Sequence, residues 1–133
     1  MIKVSFDFDS TLDKPHVQDY AISLIERGID VYVITSRYDE LHKHKYPHSG
    51  TNDDLYKVTK KLEIPRWKIR FTCMLLKSEY IDGTNLLWHL DDDWVELNHI
   101  NRETDTKGIS VTGGGWKNKC ERLIKKHLEI TNN

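Results

Sequence analysis

The stretch IKVSFDFDST, residues 2–11, decides the fold class of this 133-residue chain. Every second side chain in its first part is apolar, and this two-residue period predicts a β-strand. The apolar positions are Ile2, Val4, Phe6 and Phe8. The strand closes on two carboxylates, Asp7 and Asp9, so polar chemistry lies directly at the end of a buried element.

Outward from this strand, helical and extended patterns alternate. Apolar residues at helical spacing predict a first helix with one buried face, made of Val17, Tyr20, Ala21, Leu24 and Ile25. Gly28 suits the end of this helix, because glycine adopts positive φ without steric cost. The apolar run at 31–34 is rich in β-branched residues and predicts a second strand that is covered on both faces.

The second half of the chain continues the alternation. A helix is predicted from a capping box at Thr51 and Asp54 to about Ile64, ahead of Pro65. Further strands are predicted at 69–74, 86–90 and 109–112, with a short helix at 78–81 and a closing helix at 116–128. The prediction is a three-layer α/β/α Rossmann-like domain with a parallel sheet of about five strands.

The composition agrees with a single domain over residues 1–133. Apolar residues make up 38% and charged residues 31%, and the net charge of −1 gives no global basic footprint. Cys73 and Cys120 form no CxxC pair, which argues against a zinc site and a disulfide framework. Met1 leads straight into the first strand, and no apolar run reaches membrane-spanning length. We therefore expect a cytoplasmic protein with no membrane partner.

Polar residues with catalytic potential follow the predicted strands. The first strand ends in Asp7 and Asp9, the second in Thr35-Ser36-Arg37, and the fourth in the aspartates at 91–93, while Lys77 opens the short helix after the third. Ligands of open parallel sheets bind at the carboxyl ends of the strands, so we expect these side chains to converge. Facing carboxylates need a counter-charge, and an all-oxygen site with few protein ligands suits Mg²⁺. Lys77 and the Thr35 hydroxyl add the donors that a phosphoryl group needs.

These residues lie in four motifs that resemble those of the haloacid dehalogenase-like (HAD) superfamily, in its small capless type. Residues 4–11, an apolar strand followed by DxDxT, look like the first motif, and residues 33–37 resemble the second. Lys77 is similar in position to the third-motif lysine, and Leu90-Asp91-Asp92 looks like the fourth, acidic motif. The resemblance covers nearly the whole chain, with the motifs in the family's order.

The resemblance implies a magnesium-dependent phosphomonoesterase. Asp7 would attack phosphorus and form an aspartyl-phosphate. Asp9 would protonate the leaving group and then activate water for hydrolysis. The residues that would bind the phosphoryl group are Thr35, Ser36 and Lys77.

The resemblance also implies a set of ligands for Mg²⁺. These are Asp7, Asp9 (through its backbone carbonyl), and Asp91 or Asp92. The glycine common before the first Asp of the fourth motif is missing, which leaves both Asp91 and Asp92 as candidates. Asp93 is predicted to face solvent or to cap the turn at Trp94.

Two functions of other kinds stay open at this point. A catalytically silent module would keep the fold and bind magnesium and phosphate without turnover. A carboxylate–metal nuclease would activate water directly at the acidic cluster.

Two sets of residues have simpler, structural interpretations. His89, inside the fourth strand, is interpreted as packed rather than catalytic. The tryptophans are interpreted as core or half-buried residues, and they are Trp67, Trp88, Trp94 and Trp116.

The intervals in which the HAD family carries a cap domain are short in this chain. Residues 12–15 alone separate the first motif from its helix, and a loop, a helix and a strand account for residues 38–76. We therefore expect no cap and an open site, which suits a bulky phosphorylated substrate such as a nucleic-acid end, a nucleotide or a protein. Ten basic residues against five acidic ones between Arg37 and Lys77 favour a nucleotide or polynucleotide if the excess gathers on one face. A small phosphometabolite as the substrate, and a partner chain that covers the site, stay open as alternatives.

Overall fold

The structure is a computed structural model that describes residues 1–43 and 50–131. Its strands are β1 (Lys3–Phe6), β2 (Asp30–Thr35), β3 (Ile69–Phe71), β4 (Trp88–Asp91) and β5 (Lys107–Ser110). Its helices are α1 (Pro15–Glu26), α2 (Glu40–Lys43), α3 (Asp53–Lys61), α4 (Lys77–Ile81), α5 (Trp94–Glu103) and α6 (Trp116–Thr131). A π-helical turn at Phe8–Leu12 and a 3-10 turn at Arg66–Lys68 complete the regular structure.

The five strands form one sheet in the order β3-β2-β1-β4-β5, and every pair is parallel. The chain runs outward through β2 and β3 on one side of β1, then crosses to β4 and β5 on the other. The topological switch point therefore lies between β1 and β4, where the backbone N–H of Asp7 donates to the Leu90 carbonyl at 2.8 Å. This confirms the predicted parallel α/β architecture.

Helices cover both faces of the sheet, which makes three layers. On one face, α1, α3 and α6 bury the larger core, in which Phe6 packs edge-on against Trp88 with ring centroids 5.4 Å apart. On the other face, α4 and α5 bury a smaller cluster of Ile34, Ile81, Leu86 and Ile100. The alternation along β1 explains the division, since Val4 and Phe6 belong to the larger core while Ser5 points to the opposite face.

The α4/α5 face carries an unusual row of buried polar residues. The register pairs Ser5 with His89, and Asp91 lies two residues further along β4 on the same face. All three side chains are fully buried. Because buried polar groups need partners, this row already marks the part of the sheet where a functional site can lie.

The predicted capping box at Thr51 and Asp54 is wrong. Helix α3 begins at Asp53, and Asn52 at its N-cap makes no side-chain capping bond. The Asp54 carboxylate instead accepts two hydrogen bonds from Arg37, at 2.7 and 2.9 Å. The Asp54 side chain, which the local pattern predicts to cap α3, therefore forms a long-range ion pair with Arg37.

Several predicted boundaries also differ from the structure. Helix α3 ends at Lys61 rather than near Ile64, because Glu63 at φ 59° turns the chain. Strand β3 ends at Phe71 rather than at residue 74. Cys73 and Met74 have positive φ, and their backbone N–H groups donate to carbonyls that follow β2. The fourth and fifth strands are displaced by one or two residues from 86–90 and 109–112, and the closing helix continues to Thr131.

The interpretation of the tryptophans as core or half-buried holds for Trp88 and Trp116 and is wrong for the other two. Trp88 is fully buried and Trp116 packs on the larger core. Trp67 and Trp94 are 69% and 70% exposed. Trp67 lies in the turn before the edge strand β3, and Trp94 opens α5 at the edge of the sheet, so neither position faces a covering layer.

Helix α5 comes very close to the sheet at Gly108 in β5. A Cβ there would lie 2.9 Å from Leu97 Cδ2 and 3.2 Å from the Leu97 carbonyl oxygen. We expect Gly108→Ala to lower the free energy of unfolding by about 1–3 kcal/mol, because α5 must move away from β5. Urea unfolding measures the change, with Lys107→Ala at the exposed neighbouring position as control. A Gly108→Ala variant as stable as Lys107→Ala would contradict this packing.

Candidate functional site

The switch point of the sheet brings together a buried lysine and two buried aspartates. Lys77 Nζ donates to Asp7 Oδ1 at 2.8 Å and to Asp91 Oδ2 at 2.6 Å. Asp7 follows β1, Asp91 ends β4 and Lys77 opens α4, and they are 5%, 0% and 3% exposed. The structure therefore unites three of the residues that the sequence selected, from three separate elements.

Lys77 reaches this position because the turn after β3 is tied to the turn after β2. The backbone N–H groups of Cys73 and Met74 donate to the carbonyls of Arg37 and Ser36, so α4 starts over the switch point. Burial alone would lower the pKa of Lys77, but the charges of Asp7 and Asp91 outweigh it and hold the pKa above its usual value. The lysine is therefore a fixed cation inside the site.

Asp91 is held by a second set of bonds on the sheet face. His89 Nε2 lies 2.8 Å from Asp91 Oδ2, and Ser5 Oγ lies 2.8 Å from His89 Nδ1. Burial lowers the pKa of His89, which favours the neutral ring, and an ionised carboxylate can only accept. In the neutral ring the proton that faces Asp91 is on Nε2, and Nδ1 accepts from the Ser5 hydroxyl. Against the cost of burial, the His89 bond and the Lys77 charge keep the pKa of Asp91 below its usual value.

Asp7 has fewer stabilising partners than Asp91. Its Oδ2 accepts a long bond from the Thr11 hydroxyl, at 3.5 Å, and its Oδ1 shares Lys77 with Asp91. Burial raises the pKa of Asp7, and the Asp91 charge adds to the rise while Lys77 offsets part of it. The site thus holds one carboxylate more than its lysine neutralises. Asp7 is the carboxylate whose ionised form is destabilised.

This imbalance predicts a pH dependence of stability for the cation-free protein. The folded-state pKa of Asp7 is raised above 3.8, so folding favours its protonated form, and stability is lost as pH rises from that value through the folded pKa. Asp91 has a lowered pKa and acts in the opposite direction. The stability that it contributes is present above pH 3.8 and is lost as the pH falls below that value.

Urea unfolding in a chelator at a series of pH values measures this effect. The wild type should lose stability as pH rises above the ordinary aspartate range, and Asp7→Asn should lose less. An equal decline in both proteins would show that another group causes it.

The acidic residues also form a set that can hold a cation. Asp7, Asp91 and Asp92 each offer one carboxylate oxygen, and these atoms lie within 4.8 Å of one another. Oxygen-only donors and an excess of negative charge fit a hard divalent cation. Both Asp91 and Asp92 belong to this set. Asp93 does not, because its side chain accepts from the N–H groups of Val95 and Glu96 and caps α5, which confirms the prediction of a cap.

A pocket of about 280 Å³ opens over this cluster. Its lining includes the acidic set, Asp9, Ser36 and Lys77, together with two exposed apolar side chains, Met74 and Leu75. Thr35 is not one of the residues that line this pocket. It is fully buried, and its Oγ1 accepts from the Arg37 N–H at 3.3 Å. Of the three residues predicted to bind the phosphoryl group, Ser36 and Lys77 therefore line the pocket and Thr35 does not.

Asp9 lies at the pocket but its side chain is not part of the acidic set. Both of its carboxylate oxygens accept from Arg37, at 2.7 and 3.0 Å, and the same guanidinium binds Asp54. Arg37 also lies over the Phe8 ring, 5.0 Å from its centroid. The clamp of Asp9, Arg37 and Asp54 was missed by the sequence reasoning, although Arg37 directly follows the second motif.

His89 and Ser5 were missed as partners of the site. The interpretation of His89 as a packed residue agrees with its complete burial, but its bond to Asp91 gives it a further role. A local signal exists for His89, because it lies two residues before Asp91 on the same face of the strand. Ser5 had no such signal, since its pairing with His89 depends on the register between β1 and β4.

Comparisons with known proteins add nothing to this geometry. No family model matches the chain, and neither the search of curated proteins nor the search of solved structures found a match. Among the described helices, none combines the length and the apolar composition needed to cross a membrane.

Proposed function

We propose that this chain is a magnesium-dependent phosphomonoesterase that works through an aspartyl-phosphate on Asp7. The observation that carries the proposal is the contact of Lys77 with both Asp7 and Asp91 at the switch point, beside the oxygen of Asp92. An anionic nucleophile, a fixed cation and a hard-cation site within one pocket are what phosphoryl transfer requires. The resemblance of the four motifs to the HAD superfamily supports the same reaction.

In this reaction an oxygen of Asp7 attacks phosphorus while the bond to the leaving oxygen breaks. Asp9 gives its proton to that oxygen, and the product alcohol leaves. Asp9 then takes a proton from water, whose oxygen attacks the phosphorus of the aspartyl-phosphate, releasing inorganic phosphate and restoring Asp7. Lys77 offsets the charge on Asp7 and on the transferring group.

Magnesium, held by Asp7 and by Asp91 or Asp92, would supply Lewis-acid charge stabilisation on the phosphoryl oxygens. The acidic set fits this ion because every donor is a carboxylate oxygen. His89 and Ser5 would orient Asp91 for that purpose. This leaves the side chain of Asp9 free of metal binding.

One requirement of this mechanism concerns Arg37. Proton transfer needs a free oxygen on Asp9, and both oxygens are bound to Arg37 in the structure. A phosphoryl group is a bidentate acceptor that competes for the same guanidinium, so substrate would release Asp9 as it binds. The Asp9–Arg37 pair also favours a second candidate, a catalytically silent module that binds magnesium and phosphate and keeps Asp9 paired.

Hydrolysis of para-nitrophenyl phosphate, with magnesium or with chelator, tests the proposal. If the chain is this phosphatase, it should release para-nitrophenol in the presence of magnesium, and chelation should abolish the release. Wild-type protein that binds magnesium but releases no product from this ester or from a panel of phosphorylated nucleotides and peptides would contradict it and favour the silent module.

The role of His89 leads to a separate prediction. We expect His89→Leu to weaken magnesium binding by about 10–100-fold, because Asp91 loses the donor that orients it. His89→Gln, which keeps an N–H donor, should fall between this variant and the wild type. Isothermal titration calorimetry measures the affinity without relying on turnover. Equal affinities for the wild type and His89→Leu would remove His89 from the site.

A further inference from the structure

A second concave surface lies on the same side of the sheet as the candidate active site. This surface, the basic groove, has a volume of about 320 Å³ and runs between β2, β3 and the loop that joins α4 to β4. Its polar and aromatic lining consists of Lys3, Tyr32, Arg70, Tyr80, Thr84 and Asn85. The register places Tyr32 opposite Ser5 and Ile34 opposite Arg70, so the floor of the groove is the sheet face that carries the active site.

The charge of the groove is one-sided. Lys3 and Arg70 contribute two cations, and no carboxylate is among the lining residues. Within the described residues, neither side chain makes a hydrogen bond or an ion pair, and the Tyr80 hydroxyl and the Asn85 amide are also without partners. Two other basic residues of this region are paired, because Arg37 binds Asp9 and Asp54 and Lys68 binds Asp30 at 3.1 Å. The charges of Lys3 and Arg70 are therefore available to a ligand of the groove.

Aromatic rings accompany these cations. Tyr32 and Tyr80 line the groove and are half-buried. The largely exposed Trp67 packs edge-on against Tyr32, with centroids 6.2 Å apart, and extends this aromatic surface to the edge of the sheet. Cations beside partly exposed rings on a concave surface are a combination that binds single-stranded nucleic acid, where phosphates pair with the cations and bases stack on the rings.

The groove is next to the catalytic pocket. Lys77 lines the pocket and Tyr80 lines the groove, and residues three apart on a helix have Cβ atoms about 5–6 Å from each other. A strand with its terminal phosphate at Asp7 would pass α4 to reach the groove. Such a ligand must carry repeating negative charges and planar rings.

We infer that the basic groove binds a single-stranded polynucleotide next to the terminal phosphate that the pocket holds. The inference rests on the proposed function for the position of that phosphate, and on the groove itself for the binding of the strand. It narrows the substrate class from phosphorylated molecules in general to the phosphorylated end of a nucleic-acid strand.

A binding experiment without turnover tests this inference. The probe is an unphosphorylated, fluorescein-labelled oligothymidylate of roughly eight nucleotides, a length within the usual site sizes for single strands. Fluorescence anisotropy is measured in chelator at a series of salt concentrations. The variants are Lys3→Glu, Arg70→Glu and Tyr80→Leu, and Lys125→Glu, an exposed lysine of α6 on the opposite face, is the matched charge control.

We expect the wild type to bind, and Lys3→Glu and Arg70→Glu each to weaken binding by about tenfold or more at low salt. The slope of log affinity against log salt should become shallower by about 0.7 for each phosphate that the variant no longer neutralises. Tyr80→Leu should weaken binding by about fivefold or more through the loss of stacking. Lys125→Glu should stay near the wild type. Hydrolysis of para-nitrophenyl phosphate should be unchanged in all four variants, because none of these residues lines the catalytic pocket.

Two results would overturn the inference. One is a wild type that does not bind the strand at low salt. The other is charge reversal at Arg70, an exposed edge-strand side chain that can change without affecting the fold, weakening binding no more than Lys125→Glu does. Binding with the expected dependence in a protein that hydrolyses no phosphate ester would leave the groove in place and reject the proposed phosphatase alone.

Discussion

Asp7→Asn is expected to lower phosphate release by a factor of about 10⁴ or more, since it removes the nucleophile while keeping its shape. The same variant should make the cation-free protein more stable, by about 1–2 kcal/mol. With Asp7 uncharged, Lys77 and Asp91 form a neutral pair, and the excess buried carboxylate is gone. A fall in turnover together with a rise in stability is expected for a residue that is needed for catalysis and destabilises the folded protein.

Product release with magnesium and urea unfolding in chelator measure the two halves of this prediction. Asp93→Asn is the matched control, because it removes a carboxylate from the same pocket while asparagine still caps α5. The control should retain turnover within a few-fold. Turnover near the wild-type level in Asp7→Asn would reject Asp7 as the nucleophile, and a marked loss of stability would reject the charge imbalance.

Lys77→Met is expected to act in the opposite direction on stability, lowering the free energy of unfolding by about 3–5 kcal/mol in chelator. The methionine fills the space of the lysine stem, but Asp7 and Asp91 then face each other in a buried site without a cation. Turnover should also disappear, because the charge that offsets the nucleophile and the phosphoryl group is gone. Magnesium should restore part of the stability, since it replaces the missing positive charge.

The double variant Asp7→Asn/Lys77→Met separates charge from packing. If repulsion between the two carboxylates causes the loss of stability, Asp7→Asn should raise the stability of Lys77→Met by more than it raises that of the wild type, which is a coupling that a simple packing defect would not produce. Chemical unfolding of the four proteins with and without magnesium completes the cycle. Additive effects of the two substitutions would contradict the direct Asp7–Lys77–Asp91 interaction.

The sequence was sufficient for the layered α/β fold because its strongest patterns are local. The alternation at 2–8 locates β1, although the strand covers only Lys3–Phe6 and Phe8 begins the π-helical turn. The helical face from Val17 to Ile25 corresponds to α1, and Gly28 has the positive φ expected after a helix. The weaker predictions failed where long-range contacts prevail. Asp54 caps no helix because Arg37 binds it, and Trp67 and Trp94 are exposed because no layer covers the positions that they occupy.

The convergence of Asp7, Lys77 and Asp91 was predictable from their positions after parallel strands. Parallel strands bring their carboxyl ends to one edge, and the switch point selects the pair β1 and β4. The bonds that tune these residues were not predictable, because each depends on three-dimensional placement. Ser5 reaches His89 only through the register of two strands far apart in sequence, and Asp9 meets Arg37 through the side-by-side turns after β1 and β2.

The most direct test of the account is the binding of beryllium fluoride, which mimics the phosphoryl group on a nucleophilic aspartate. Fluorine NMR of the wild type with magnesium should give a bound resonance that disappears in chelator and is missing in Asp7→Asn. No bound resonance in the wild type, or the same resonance in Asp7→Asn, would contradict the assignment of Asp7 as the residue that carries the phosphoryl group.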